Sequence, residues 1–551
     1  MTDVVIVGSG AGGGPLAWTL SRAGLDVLVL ERGPAYTRED YRHDEVAITR
    51  RDFWIPAMSD DMHVLQKAGN PFPQPSHLGW TGNCVGGGTV QMGGYLYRFH
   101  PDDFRMKSRF GGFEELADWP FEYDALEPYY SQAEWEVGLS GQGGSNPFEG
   151  PRSRPYPMPP LESHPMSERL DHACEARGWH AFPTPRAVAS RAYQDRDACA
   201  YCGFCAGYGC HRGAKSSTQE ALLPRAVATG RCEVRPLSRV REVTVSRDGR
   251  ATGCVYLDAE GAEHKVRAAI VCVCCSAVES ARLLLLSTSS RFPDGLANGN
   301  GLVGRHLQFH AFSNGHAWFR LGGHPELALD DPHPFLERSV MDHYFLPEGV
   351  SALPKGGLLR FGFPSASPIG HAIRVAEREG KLAWGPELKE RLGRYFRGYR
   401  MVDFEVFHDF LPNRGTFVAL DPQIKDRWGL PVARIHLEEP EHHRQAGAFL
   451  VERGLEVLEA MGADEVVREE IGETASYLVH GTCRAGHDPA TSVLNPWCEA
   501  HEVPNLFVVD GSFMPTSGGA PPTLTILANS FRVADHIAAR ARAGEFSGAA
   551  A

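Results

Sequence analysis

The sequence has no run of about eighteen uninterrupted apolar residues, which excludes a membrane-spanning helix of ordinary length. It has no basic excess either. Its 55 Lys and Arg stand against 68 Asp and Glu, a net charge of −13, the wrong sign for a nucleic-acid binder. The opening "MTDVVIVGSG" has no basic segment, apolar leader or cleavage site, so the expectation is a cytoplasmic chain without a signal peptide. No C-x-x-C-H haem motif is present, because Ala206 follows Cys202-Gly-Phe-Cys205. Internal repeats and low-complexity linkers are also missing, apart from a short Gly/Ala tail after Arg542. The 13 cysteines are an odd number. In a reducing compartment they are expected to stay reduced or bind something rather than form a disulfide framework.

What is present describes a large globular protein. The 551 residues exceed one ordinary core, so two or more domains are expected. Apolar residues make up 42% and charged residues 22%, a soluble profile. The 60 glycines and 39 prolines accompany 10% aromatics, which indicates many loops rather than disorder.

The first 33 residues, ending "DVLVLERG", read strand, turn, helix, strand. Asp3 to Val7 is a buried-strand run, Pro15 to Arg22 a helical pattern stopped by Gly24, and Asp26 to Leu30 a second strand. Gly8, Gly10 and Gly13 form G-x-G-x-x-G directly after the first strand. Such glycines give the tight turn, the close approach of a pyrophosphate and the helix–strand packing, with the helix N-terminus favouring the diphosphate. Glu31 ends the second strand, placed to accept both hydroxyls of an adenosine ribose and to repel a 2′-phosphate.

The motif does not choose between NAD and FAD. Two later stretches favour an extended flavin: "WTGNCVGGGTVQMGG", with Gly87 and Gly88, and "NLFVVDGSFMPTSGGAPPTLT", a strand that delivers Asp510 and Gly511 to a helix N-terminus. With "VVIVGSGAGG", "DWPFEYDALEPYYSQAEWEVGLSG", "VGRHLQFH" and "GTCRAGHDPATSVLN", these make the chain resemble the glucose–methanol–choline (GMC) oxidoreductases along nearly its whole length. "YCGFCAGYGCHRGAKSS" is most similar to the flavoprotein subunit of gluconate and related sugar dehydrogenases.

The resemblance implies an α/β fold. A Rossmann-like FAD-binding domain would span 1–310, with substrate-domain insertions around 36–75 and 110–215. A substrate domain, a mostly antiparallel sheet backed by helices, would span 311–474, and 475–545 would return to the FAD domain. FAD would be held by Gly8, Gly10, Ala11, Gly13, Glu31, Arg32, Gly87, Gly88, Val240, Asp510, Gly511 and Thr523. The implied activity is oxidation of an alcohol group of a sugar, glycoside, polyol or related alcohol, by hydride transfer to flavin N5.

That chemistry needs a base for the hydroxyl proton, and histidine suits it. The family usually places this histidine three residues before the glycine of a Gly-Thr pair, with a partner His or Asn in an "NPxxT" pattern. Here those positions hold Leu478 and Pro521. His480 then becomes the candidate base, with His487 as helper; His310 and His408 are further candidates. Arg484 is read as a flavin or substrate anion contact, or as surface charge. The alternative is a flavoprotein electron-transfer subunit, or a flavin enzyme that oxidises no alcohol. Tyr344 and Trp384 are read as ordinary core or surface positions rather than sugar-stacking platforms.

Cys199, Cys202, Cys205 and Cys210 crowd one loop as C-x2-C-x2-C-x4-C. One compact run is poor geometry for zinc, which favours two separated pairs. It leaves an iron–sulfur cluster passing electrons to an acceptor protein, a disulfide, or a plain cysteine-rich loop.

Overall fold

A computed structural model of the chain describes residues 2–50, 53–324, 327, 334–378, 381–469 and 473–546. Two seven-stranded sheets organise it. In the first, Thr2–Val7 lies between Val27–Leu30 and Glu263–Val273, parallel to both, with Val4 opposite Val27 and Ile270. Cys232–Arg235 extends one side, and Leu506–Val508 pairs parallel with Glu263–Val273. Strands covered on both faces need continuous apolar runs, and Val4, Val5 and Ile6 are all buried. Arg239–Val245, Ala251–Leu257 and Glu263–Val273 form an antiparallel meander, as the Asp248-Gly249 and Glu260-Gly261 turns predict.

The second sheet runs Glu465–Arg468, Arg305–Arg320, Tyr399–His408, Gly357–Gly362, Arg338–Val340, Ala181–Pro183, and Glu473–Thr482 also pairs with Arg305–Arg320. Every described pair in it is antiparallel. The boundaries expected at 310/311 and 474/475 both fall inside strands of this sheet, because backbone pairing continues across them. Helix Glu441–Ala460 backs it, packing Leu450, Val451 and Leu458 against Val402, Phe404 and Val406. Those three sheet residues alternate with Glu405 and Phe407, which face the other way. His63–Lys67 and Gln74–Ser76 join Phe417–Lys425 and Pro431–Leu437 in a small third sheet.

The stretch "TQEALLPRAVATG" forms two helices, Thr218–Ala221 and Leu223–Ala228. Pro224 has no N–H and clashes with the preceding turn, so the helix restarts there; Ser217 caps the first piece by accepting from the Glu220 amide at 3.2 Å. Tyr344 is core and Trp384 is surface, ordinary positions as expected.

A buried triad ties the ends of two strands of the second sheet to the short helix Pro101–Arg105. Lys355 Nζ lies 2.9 Å from both Asp103 and Asp409 and over the Tyr344 ring.

Candidate active site

One cavity of about 570 Å³ runs from the first sheet's glycine turn to the inner face of the second sheet. Gly8, Gly10, Ala11, Glu31, Arg32, Gly87, Gly88, Val240, Asp510, Gly511 and Thr523 all line it. The structure thus gathers eleven of the twelve expected cofactor residues, from segments hundreds of positions apart. Gly13 stands one layer behind. A Cβ there would meet the Gly8 carbonyl oxygen at 1.9 Å, so its role is to let helix Gly13–Arg22 start against the strand.

The two glycine loops meet at this end. Gly87 has φ +53, and a Cβ on it would lie 3.1 Å from Gly10 Cα. Ser9 ties the layers together, its hydroxyl donating to Glu31 at 2.6 Å and accepting from the Gly86 amide at 2.8 Å. Glu31 also accepts from the Ser9 and Gly33 amides, at 3.1 and 3.0 Å. Burial lifts its carboxyl above the ordinary value, with these hydrogen bonds opposing the rise. Arg32 is held by Asn83, Asp61 and Glu279 and lies over Trp80. Asp510 accepts from the Ser512 amide at 2.8 Å and from the Ser280 and Ser512 hydroxyls. The N-terminus of helix Thr523–Arg542 faces the cavity beside it.

A long dinucleotide fits these residues. Bare glycine backbone, a buried acid at a strand end and a helix N-terminus line one continuous cavity, where side chains would obstruct a pyrophosphate. Cys274 and Cys275 also line it, but burial holds both thiols well above their ordinary range and leaves them unreactive.

The far end differs. Leu478 and Pro521 both line the cavity, so the positions where the family usually keeps its base and partner reach the reaction space with side chains that cannot move a proton. His480 does not line it. Register shifts between Arg305 and Gln308, and between Phe309 and Ala311, disturb the pairing with Glu473–Thr482. Leu478 and Val479 consecutively face the cavity, and His480 turns into the interior. There it is fully buried, 5.4 Å from the His310 ring, with neither ring nitrogen hydrogen-bonded. Burial, reinforced by His310, keeps it well below the ordinary histidine range.

His310 shares its Nδ1 with the His408 carbonyl at 3.1 Å, and neither His310, His408 nor His487 lines the cavity. Arg484 donates to the Thr491 and Glu115 carbonyls, away from it. The four cysteines of the 199–210 loop are free thiols, and Ala206 and Gly207 of that loop form part of the cavity wall.

Among the lining residues that the sequence did not single out are Glu405, on the sheet's inner face, and Tyr95 opposite it. Arg360 links them, its Nη1 3.4 Å from Glu405 and its guanidinium over the Tyr95 ring at 4.3 Å. Arg360 also pairs with Glu337, which holds Arg186. The signal was a pair of acids, Asp403 and Glu405, alternating with apolar residues in "MVDFEVFH".

Comparison with known proteins decides the family. Models of the GMC oxidoreductase N- and C-terminal regions match residues 73–312 and 412–530, and a NAD(P)-binding Rossmann-like model matches 6–64. The chain belongs to the GMC oxidoreductases. As a GMC oxidoreductase it is an FAD-dependent enzyme of the alcohol- and sugar-oxidising class. It is 32% identical to the 2-methyl-1,2-propanediol dehydrogenase of Mycolicibacterium austroafricanum, over 98% of this chain and 95% of the relative. It is also 32% identical to the paromamine 6′-oxidase of Streptomyces fradiae, over 97% and 91%. The fructose dehydrogenase large subunit of Gluconobacter japonicus is 28% identical over 97% of both chains. Among solved structures, pyridoxine 4-oxidase from Mesorbium loti superposes with a TM-score of 0.62 at 18% identity, over 97% of this chain and 99% of that one, a likeness of fold. No described helix of this GMC oxidoreductase is long and apolar enough to cross a membrane.

Proposed function

We propose that this GMC oxidoreductase oxidises a hydroxymethyl or secondary carbinol of a small polyhydroxylated molecule, a diol, polyol or sugar, and that Glu405 takes the hydroxyl proton. The observation that carries this reading is the makeup of the cavity's far end. Leu478 and Pro521 occupy the usual catalytic positions, and Glu405 is the carboxylate on the same sheet wall. Bound FAD supplies the acceptor for the carbinol hydride.

The remaining work falls to the chain's own side chains. A carboxylate can accept the hydroxyl proton as it is released, a contribution worth roughly 10²–10⁴-fold in rate. Arg360 fixes the orientation of Glu405 and is kept charged by Glu337, Asp403 and Glu405 around it. Phe407 and Leu478 supply apolar wall that limits water at the reacting carbon. Diol, aminoglycoside and sugar relatives support a substrate with several hydroxyls.

The test is anaerobic mixing of the purified, flavin-loaded protein with a panel of diols, polyols and sugars. Bleaching of the flavin band by at least one of them is expected. Glu405→Gln should keep full flavin content and lose the bleaching rate, with Glu405→Asp recovering part of it. Undiminished bleaching by Glu405→Gln would remove Glu405 from the reaction, and no bleaching by any alcohol would remove the substrate class.

A further inference from the structure

The loop of four cysteines makes a second site, independent of the flavin reading. His43, Cys202 and His211 each offer one ligand atom, and these atoms lie within 4.8 Å of one another. Among the described residues this is the one such group of three or more His, Cys, Asp or Glu. His43 and His211 meet edge to face with ring centroids 4.7 Å apart, and Phe204 stacks flat on His43 at 4.0 Å. Separately, His43 Nε2 and His211 Nδ1 are buried atoms without any hydrogen-bond partner. A buried ring nitrogen normally finds a partner, so both are positioned for something they do not find in the protein. His43 holds this place with a positive φ of 55°, uncommon for a non-glycine residue.

We propose that His43, Cys202 and His211 bind a late first-row divalent metal ion, zinc in the resting protein. Two imidazoles and a thiolate are the donors that zinc, cobalt and copper prefer over magnesium or calcium. Zinc–nitrogen and zinc–sulfur bond lengths place tetrahedral donors about 3.3–3.6 Å apart, so closing the group needs a contraction of about 1 Å.

The loop is anchored on one side. Lys215 is buried and donates to the carbonyls of Met92, Cys205 and Tyr208 at 3.0, 2.7 and 2.6 Å, clamping the loop behind the site. On the other side His43 and His211 open onto a surface cleft with Arg38, Tyr41 and Arg42. Three protein ligands and an open side leave a fourth position for water or a second ligand. The donor set takes one of the four cysteines together with two histidines outside the cysteine pattern, which explains why cysteine spacing alone suggested no zinc.

The test uses the full-length protein without a polyhistidine tag. Elemental analysis after equilibration with zinc and desalting should give about one zinc per chain. Cobalt loading should give the intense visible bands of a four-coordinate ion with a thiolate charge-transfer band. Cys202→Ser and His211→Asn should each weaken zinc binding by roughly tenfold or more, with flavin content unchanged as the folding control; Cys199→Ser should retain the metal. In the unmutated protein, zinc should protect Cys202 from alkylation, read by peptide mass mapping before and after chelation. Three results would overturn the site. One is no metal above the buffer control. Another is zinc that persists at full stoichiometry in both ligand variants. The third is iron with inorganic sulfide and broad visible absorption lost alike in the Cys199, Cys202, Cys205 and Cys210 variants.

Discussion

The two ends of the cavity are built on opposite rules. At the nucleotide end the buried acids are fully partnered: Glu31 takes three local hydrogen bonds, and Asp510 accepts from two serines and an amide. At the catalytic end, Leu478 and Pro521 offer none, and behind them His480 is buried with both ring nitrogens unpaired. One end is a binding surface whose geometry is over-determined. The other carries Leu478 and Pro521 at the positions where the family usually keeps its base and partner, with the Glu405 carboxylate beside Arg360. On the proposed reading, cofactor recognition and proton transfer in this fold are separable, because the residues assigned to the first are kept where those of the second are replaced.

The strongest way to break the comparison is at Glu405. Glu405→Gln should lower kcat by roughly 10²–10⁴-fold with flavin occupancy unchanged, measured by steady-state turnover and by flavin absorbance. In that background Leu478→His should recover at least tenfold of the rate, because it returns a base to the cavity wall; no recovery would mean that the two sites do not share a substrate position. The next effect is structural. Lys355→Met strands the buried carboxylates of Asp103 and Asp409 facing each other. It should cost about 3–5 kcal/mol, read from denaturant unfolding.

A pH effect follows. Burial, aided by the Lys355 charge and His443, pushes His442 down to about 4. Between about pH 6.5 and 4 the unfolded chain therefore binds a proton that the folded chain refuses. Stability is present above that window and falls through it, by roughly 3 kcal/mol at pH 4. His442→Gln should flatten the fall in melting temperature over this window without changing it at pH 8. The smallest effect belongs to the well-satisfied end. Ser9→Ala removes one hydrogen bond to Glu31 and one from Gly86 and should cost about 1–2 kcal/mol, seen as weaker flavin retention on dilution.

The nucleotide end was legible because its requirements are local. A strand, three glycines, a helix and an acid lie within 31 residues, and Asp510-Gly511 before a helix repeats the same logic. The catalytic end was not. His480 looked like a base from its neighbours in sequence, but a bulged register decides which side chains of Glu473–Thr482 face the cavity, and register leaves no mark on a single strand. Glu405 and Tyr95 meet only through Arg360, three segments joined by tertiary packing. His43 joins Cys202 across 159 residues, a separation that no spacing rule reaches.

The partition between cofactor and solvent is thin at one place. Gly207 borders the inner cavity and His211, four residues on, borders the outer cleft, with the Trp54 indole donating to the Gly207 carbonyl at 2.7 Å to hold that wall flat. Anything seated in the outer cleft therefore lies four residues along one loop from the wall of the inner cavity.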